Sequence, residues 1–242
     1  MLIEVCVDRV QSAVNAVAGG ADRIELCQDL AIGGMTPSEG LVVQTMRAID
    51  KPIVVMIRTR GGDFCYDEYE FEVMMEDIRR MKKLQVVGIV TGMLSADGRV
   101  DKKRMQQVME AAKGMEVVFH RAFDMTKNLS EALDDLSSLG ITRVLTSGGM
   151  NLATDGIDNL KKLVQKQSPV TIMAGSGISA ENAKLFEAIG IREIHLSGKT
   201  QIPSKMLYRN PSVQMGKSDA RDEYIIEETA TQKIRAVRKI FE

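Results

Sequence analysis

Glu4, Cys6, Glu25, Cys27, Arg58, His120 and His195 each lie in or just beyond a short β-branched run, and they include both histidines of the chain. Carboxylates and imidazoles are the groups that exchange protons near neutral pH. Glu25 with His120, or Glu4 with His195, could carry such chemistry, with Asp124 orienting the nearby His120. An anionic substrate would need a cation to hold it. The loop Arg58-Thr59-Arg60-Gly61-Gly62-Asp63-Phe64-Cys65-Tyr66 offers two arginines able to grip a carboxylate or phosphate. The plainer reading of Arg60 and Asp63 is a surface loop closed by an Arg–Asp pair. A second anion candidate is Gly175-Ser176-Gly177 with Ser197-Gly198-Lys199, where backbone N–H groups free of Cβ bulk can point at a phosphate. Ser147-Gly148-Gly149 could widen the same opening. Gly-Ser-Gly is also an ordinary tight turn. Ser197-Gly198-Lys199-Thr200 ends like a P-loop, but Glu193 stands where the first glycine of that motif must be, so a nucleotide loop is rejected.

The three cysteines raise a different chemistry. An odd number confined to the first 65 residues is not a disulfide framework, which points to the reducing cytosol. Cys6 and Cys27 fall on neighbouring strands. At equal height, two thiolates would suit a soft, low-coordinate ion such as Cu(I), with Cys65 or a methionine as third ligand. Zinc fits less well, because there is no CxxC pair and His195 lies across the fold. The alternatives are two buried cysteines acting as small hydrophobes, or a redox pair, which needs Cα atoms within about 7 Å.

The elements that must position these groups repeat from end to end. Apolar runs read as strands near Leu2–Val7, Arg23–Leu26, Ile53–Arg58, Val87–Thr91, Val117–Arg121, Arg143–Ser147, Val170–Ala174 and Glu193–Ser197. Helical spacing follows each, as at Leu129, Ala132, Leu133, Leu136 and Leu139, or Ile226, Ala230, Ile234, Val237 and Phe241. Met74, Met75, Met105 and Met109 share that spacing and read as core filler. Thr36-Pro37-Ser38-Glu39 reads as an N-cap Thr, a first-turn Pro and a capping-box Glu. Asn128, Asp101 and Ser179 are cap candidates, and Gly140 and Gly190 suit left-handed helix ends.

Eight strand–helix units of about 27 residues over 242 residues predict a single α/β domain, a (β/α)8 TIM barrel spanning 1–242. A doubly wound open sheet would need a Gly-rich fingerprint after the first strand, and Val7-Asp8-Arg9-Val10 is nothing like one. A long irregular segment is expected at 198–221 on the mouth side. The functional face of such a barrel lies at the C-terminal ends of the strands. Alternation then sends Glu4, Cys6, Glu25, Cys27, Arg58, either His120 or Arg121, and His195 with Ser197 inward. A chain serving only stability would place Val and Ile there, because buried charges cost several kcal/mol unless paired.

Several classes are excluded. The formal charge of −1 leaves no basic excess for nucleic acid or an anionic membrane surface. No apolar run reaches a membrane span, and the start lacks a secretory signal. An apolar fraction of 44% excludes wholesale disorder. No organic cofactor is expected, and a homo-oligomer, with a dimer first, is.

With these residues in hand, the chain resembles the CutC copper-homeostasis family over roughly residues 1–210. The resemblance rests on Glu4-Val5-Cys6, Gly20-Ala21-Asp22-Arg23-Ile24-Glu25-Leu26-Cys27, Gly33-Gly34-Met35-Thr36-Pro37-Ser38 and Arg60-Gly61-Gly62-Asp63-Phe64-Cys65-Tyr66. Phe119-His120-Arg121-Ala122-Phe123-Asp124, Arg143-Val144-Leu145-Thr146-Ser147-Gly148 and Ile172-Met173-Ala174-Gly175 extend it. Met35 departs mildly from the leucine common there. The resemblance implies a (β/α)8 barrel and cytoplasmic copper handling, with Cys6 and Cys27 at the positions of the Cu(I) thiols. The residues themselves leave a rival: an isomerase, lyase or hydrolase acting on a small anionic, phosphorylated or carboxylated, metabolite.

Overall fold

Eight parallel strands close on themselves in chain order: β1 (Leu2–Val7), β2 (Arg23–Leu26), β3 (Ile53–Met56), β4 (Gly88–Thr91), β5 (Glu116–Phe119), β6 (Arg143–Thr146), β7 (Thr171–Gly175) and β8 (Glu193–Leu196). The structure, a computed structural model, describes residues 1–215 and 222–242. β1 pairs with both β2 and β8, which completes the ring. The helices are α1 (Val10–Ala18), α2 (Glu39–Ala48), α3 (Glu68–Lys83), α4 (Lys102–Ala111), α5 (Leu129–Ser138), α6 (Ile157–Gln165), α7 (Ala183–Ala188) and α8 (Thr231–Lys239).

Period-two alternation splits the strand side chains into two apolar layers. Ile3, Val5, Ile24, Leu26, Val55, Ile89, Phe119, Val144 and Ile194 face outward and pack with helix residues such as Met74, Ile78, Leu133, Leu136 and Phe186. Met105 belongs to this layer, and Met75 and Met109 pack partly buried against it. Inside the barrel, Val54, Met56, Val90, Val118, Leu145 and Met173 form a second cluster with Cys27. Inner positions not filled this way are polar, and they make the site.

The ends of several elements differ from the sequence expectation. Arg58, Arg121, Ser147 and Ser197 lie just beyond their strands, and Arg121–Met125 is a short 3-10 turn. Thr36 does not cap α2. Its hydroxyl instead accepts from the Arg58 N–H at 3.0 Å, and Ser38 caps the helix by accepting from Leu41 N. Pro37 therefore precedes the cap, where its lost N–H costs nothing. Asn128 and Asp101 do cap α5 and α4. The Ser179 side chain does not cap α7; its N–H is taken by Asn182 Oδ1 at 2.9 Å. Gly140 and Gly190 are left-handed, with φ of 76° and 94°.

The segment expected to be irregular carries a strand. β9 (Lys199–Pro203) pairs antiparallel with β10 (Ile225–Thr229), and residues 216–221 of the expected stretch lie outside the described residues. Helix α1 anchors this ribbon: Asn15 donates to Thr229 O and Glu228, and the Thr229 N–H donates to Ser12 Oγ. A chain leaving β8 with two strand-forming runs satisfies its backbone by pairing them. Among the described residues, no helix is long and apolar enough to cross a membrane.

Candidate functional site

The C-terminal ends of the strands open onto a cavity of about 870 Å3. Such a volume suits a small organic ligand better than a bare ion. Its deep wall holds Cys6, Glu25 and His195 from β1, β2 and β8, and Arg58 and His120 stand at the ends of β3 and β5. Register fixes the first group, because Glu4 lies opposite His195 and Cys6 opposite Glu25.

His195 is gripped from below. Its Nδ1 bonds Glu4 Oε1 at 2.8 Å, while Nε2 lies 3.6 Å from Glu25 Oε2. Burial disfavours the imidazolium, but Cys6, Glu25 and Glu4 around the ring outweigh it and push the His195 pKa well up. These surroundings favour the charged form of the ring. Burial likewise opposes charge on Glu4, yet the hydrogen bonds and charges of His195 and Arg23 bring its pKa down to about 2. Glu25 goes the other way. Desolvation dominates over the attraction of His195, with Glu4 adding repulsion, and its pKa rises to about 7. Two glutamates on the neighbouring strands β1 and β2 thus titrate far apart, which is how one site comes to hold both an ion-pair partner and a titrating acid.

His120 is pushed the opposite way from His195, toward the neutral form. Burial and the positive charge of Arg58 lower its pKa to about 3. Nδ1 accepts from the Ala122 N–H at 3.2 Å, so the proton of the neutral ring sits on Nε2. That Nε2 has no partner. Neither does Glu25 Oε1, although Glu25 is only 2% and His120 only 3% exposed. Buried polar atoms are usually paired, so among the described residues the cavity lining leaves two donors, His120 Nε2 and Arg58 Nε, and one acceptor, Glu25 Oε1, for something else.

Arg58 differs from expectation. Its guanidinium donates to the carbonyls of Ile32, Gly34 and Gly62 and lies over the Phe64 ring, 4.9 Å from its centroid. It pairs with neither Glu4 nor Glu25. It cannot offer a two-pronged grip, but its charge has no carboxylate opposite and reaches the cavity. Arg121, Lys199 and His195 also line the cavity, against the acids Glu25 and Asp124.

Other expected residues take structural places. Arg60 bonds Glu70, Asp63 at 3.1 Å and three carbonyls, and stacks on Tyr66, so Arg60 and Asp63 brace their loop outside the cavity. Asp124 does not orient His120. It accepts from Arg121 Nε at 2.7 Å, from Thr146 and Ser147 hydroxyls, and from the N–H groups of Ser147 and Gly149. Ser147 is held in that clamp and the Gly148 N–H donates to the Thr146 hydroxyl at 2.9 Å, while Gly149, also bonded by Asp124, is the one of the three that reaches the cavity. Gly175 lies opposite His195, and a Cβ there would come 2.5 Å from Leu145 Cδ1. Its role is to make room. Ser176, Gly177, Ser197 and Gly198 do line the cavity, with Ser176 in the left-handed region at φ 81°.

The two thiols are not level. Cys27 stands two residues beyond the partner of Cys6, which with a strand spacing of about 4.8 Å puts their Cα atoms about 8 Å apart. That is past the reach of a disulfide. The Cys27 thiol donates to Glu25 Oε2 at 3.6 Å, and burial followed by the charge of Glu25 pushes its pKa well up. The donor atoms that do converge belong to Cys6, Glu25 and His195, all within 4.8 Å of one another.

The family comparison agrees with this fold. The sequence model of the CutC family matches residues 1–200. The chain belongs to the CutC family. It is 44% identical to a Vibrio cholerae family protein CutC, covering 96% of this chain and 93% of the relative. It is also 44% identical to the human copper homeostasis protein cutC homolog, covering 99% and 88%. The crystal structure of a putative copper homeostasis protein CutC from Streptococcus agalactiae superposes with TM-score 0.77 at 32% identity, over 81% of this chain and 98% of that one. A thiamine phosphate pyrophosphorylase from Pyrococcus furiosus, at TM-score 0.58 and 18% identity, shares the fold alone.

Under the wall of this CutC-family cavity lies a charged floor that the site reading missed. Arg23 joins Glu4 to Glu193 (2.8 Å), and Arg143 joins Glu193 (2.6 Å) to Glu116. The signal was present: Arg23, Arg143 and Glu193 share strand parity with Glu25, Leu145 and His195. Inward direction at the closed end of the strands means ion pairing, and at the open end it means access.

Proposed function

We propose that the cavity is the active site of a cytoplasmic barrel enzyme that moves protons on a small carboxylate- or phosphate-bearing metabolite. The observation that carries the reading is the pair of unsatisfied, buried polar atoms, Glu25 Oε1 and His120 Nε2, on one cavity. A carboxyl with pKa about 7 is present in both forms at neutral pH and can give or take a proton. A neutral imidazole with an unpaired N–H can polarise an oxygen without surrendering its own proton. Arg58 supplies unneutralised positive charge, and Ser176, Gly177, Ser197 and Gly198 form the opposite side where an anionic group would rest. Isomerisation, carbon–carbon cleavage and hydrolysis all use this set. A thermal-shift screen of carboxylates and phosphates with their neutral analogues tests it. A ligand at 100 times its Kd adds about 2.7 kcal/mol and raises Tm by several degrees. If no anion shifts Tm at millimolar concentration, the reading fails.

Copper(I) as cargo is the second reading, favoured by the convergence of Cys6, Glu25 and His195 and by the copper-homeostasis names of the relatives. Cys6 and Cys27 would hold the soft ion, with His195 nearby. Binding would have to displace the Cys27 proton and bring the thiols level. Titration of reduced protein with Cu(I) against a calibrated chelator should show tight binding that is lost in the Cys6→Ser, Cys27→Ser double variant. Unchanged affinity in that variant removes the copper reading.

A further inference from the structure

We propose that Cys6 is a covalent nucleophile toward the acyl carbon of an ester or thioester, a proposal that rests on reading the cavity as catalytic. Its sulfur, a Glu25 carboxylate oxygen and a His195 ring nitrogen lie within 4.8 Å of one another on the cavity wall. His195 is clamped from behind by Glu4, which Arg23 fixes in turn. The clamp occupies Nδ1 and leaves Nε2 facing Glu25 and the thiol. A nucleophile beside proton-handling groups, with a buried acid orienting the imidazole, is the arrangement that activates weak side-chain nucleophiles. A further feature points to a ligand here: Glu25 Oε1, an oxygen of the same cluster, is buried on this cavity without a partner, as is His120 Nε2 across the barrel at the end of β5.

The step balances without an oxidant or a metal. The Cys6 S–H bond breaks, its proton passes to the Glu25 carboxylate, and the sulfur bonds the carbonyl carbon. Collapse of the tetrahedral adduct breaks the bond to the leaving alcohol or thiol, which takes a proton from His195. Water then attacks the Cys6 thioester and gives a proton to His195, and the departing sulfur recovers its own from Glu25. The sum is ester plus water to acid plus alcohol.

The test uses the native, reduced protein. Iodoacetamide at pH 7 is followed by peptide mass spectrometry at each cysteine, with exposed Cys65 as the reference within the same chain and buried Cys27 as the protected one. Cys6 should react at least about tenfold faster than Cys65 despite being less exposed, and p-nitrophenyl acetate should leave an acetyl group on Cys6. In Glu4→Gln and His195→Gln the Cys6-to-Cys65 ratio should fall about tenfold. A wild-type Cys6 that reacts no faster than Cys65, which needs no variant to observe, overturns the proposal. So does a ratio unchanged in both variants. An anion that raises Tm while Cys6 stays inert removes the nucleophile and leaves the catalytic reading of the cavity standing.

Discussion

Glu25 is the residue whose environment makes the sharpest prediction. Its carboxyl titrates at about 7 folded and 4.5 in the open chain. Because the folded value is raised, its contribution is complete below pH 4.5 and is lost as pH rises through 7. Glu25→Gln removes this loss. Relative to the variant, the wild type should lose up to about 3 kcal/mol between pH 4.5 and 8, read from urea midpoints across that range. Glu4 and His120 have the opposite sign. The Glu4 contribution is present above 4.5 and is lost as pH falls toward 2, and that of His120 is lost from 6.5 toward 3. Acid unfolding should therefore persist in the Glu25 variant. If wild type and variant show parallel pH profiles above 4.5, Glu25 is not held as described. Strand parity in the sequence was enough to send Glu4, Glu25 and His195 inward. It could not assign their protonation, which depends on which charge each one meets inside.

At the scale of elements, the loops after β5 and β6 are one unit because Asp124 gathers Arg121, Thr146, Ser147 and Gly149. Asp124→Ala leaves the N–H of buried Ser147 and the hydroxyl of buried Thr146 without this acceptor, and should cost about 2–4 kcal/mol. The rim formed by Gly149, Met150 and Asn151 should loosen with it, and limited trypsin digestion should cut after Arg121 faster than in wild type. Equal digestion rates would count against the clamp. The sequence placed an acid four residues after His120 and suggested that it served the histidine. Direction along the 3-10 turn decided otherwise, carrying the carboxylate across to the neighbouring strand end. Thr36 was misread for the same reason: a partner distant in sequence, the Arg58 backbone, outbid the local pattern.

For the whole molecule, the chain of Glu4, Arg23, Glu193, Arg143 and Glu116 ties β1, β2, β8, β6 and β5 together through the barrel floor. Breaking a buried pair from one side strands the other charge. Arg23→Met should therefore destabilise by about 3–5 kcal/mol, lowering Tm by about 10 °C in a chain of this size. Adding Glu4→Gln and Glu193→Gln should restore part of the loss. A triple variant less stable than Arg23→Met alone would show that the pairs of Glu4 with His195 and of Glu193 with Arg143 outweigh the charge left stranded by the loss of Arg23.

What the sequence determined by itself is what depends on local period and composition. Alternation of strand and helix patterns sufficed for a closed (β/α)8 barrel, and parity within strands sufficed for the inward set, because both follow from backbone geometry that every residue shares. The pairing of β9 with β10, the offset of Cys27 from Cys6, the diversion of Arg58 to carbonyls and the unsatisfied atoms of Glu25 and His120 were decided only by the tertiary structure. Register around a ring and the closing of loops over it set distances between residues far apart in the chain, and no local pattern encodes those distances.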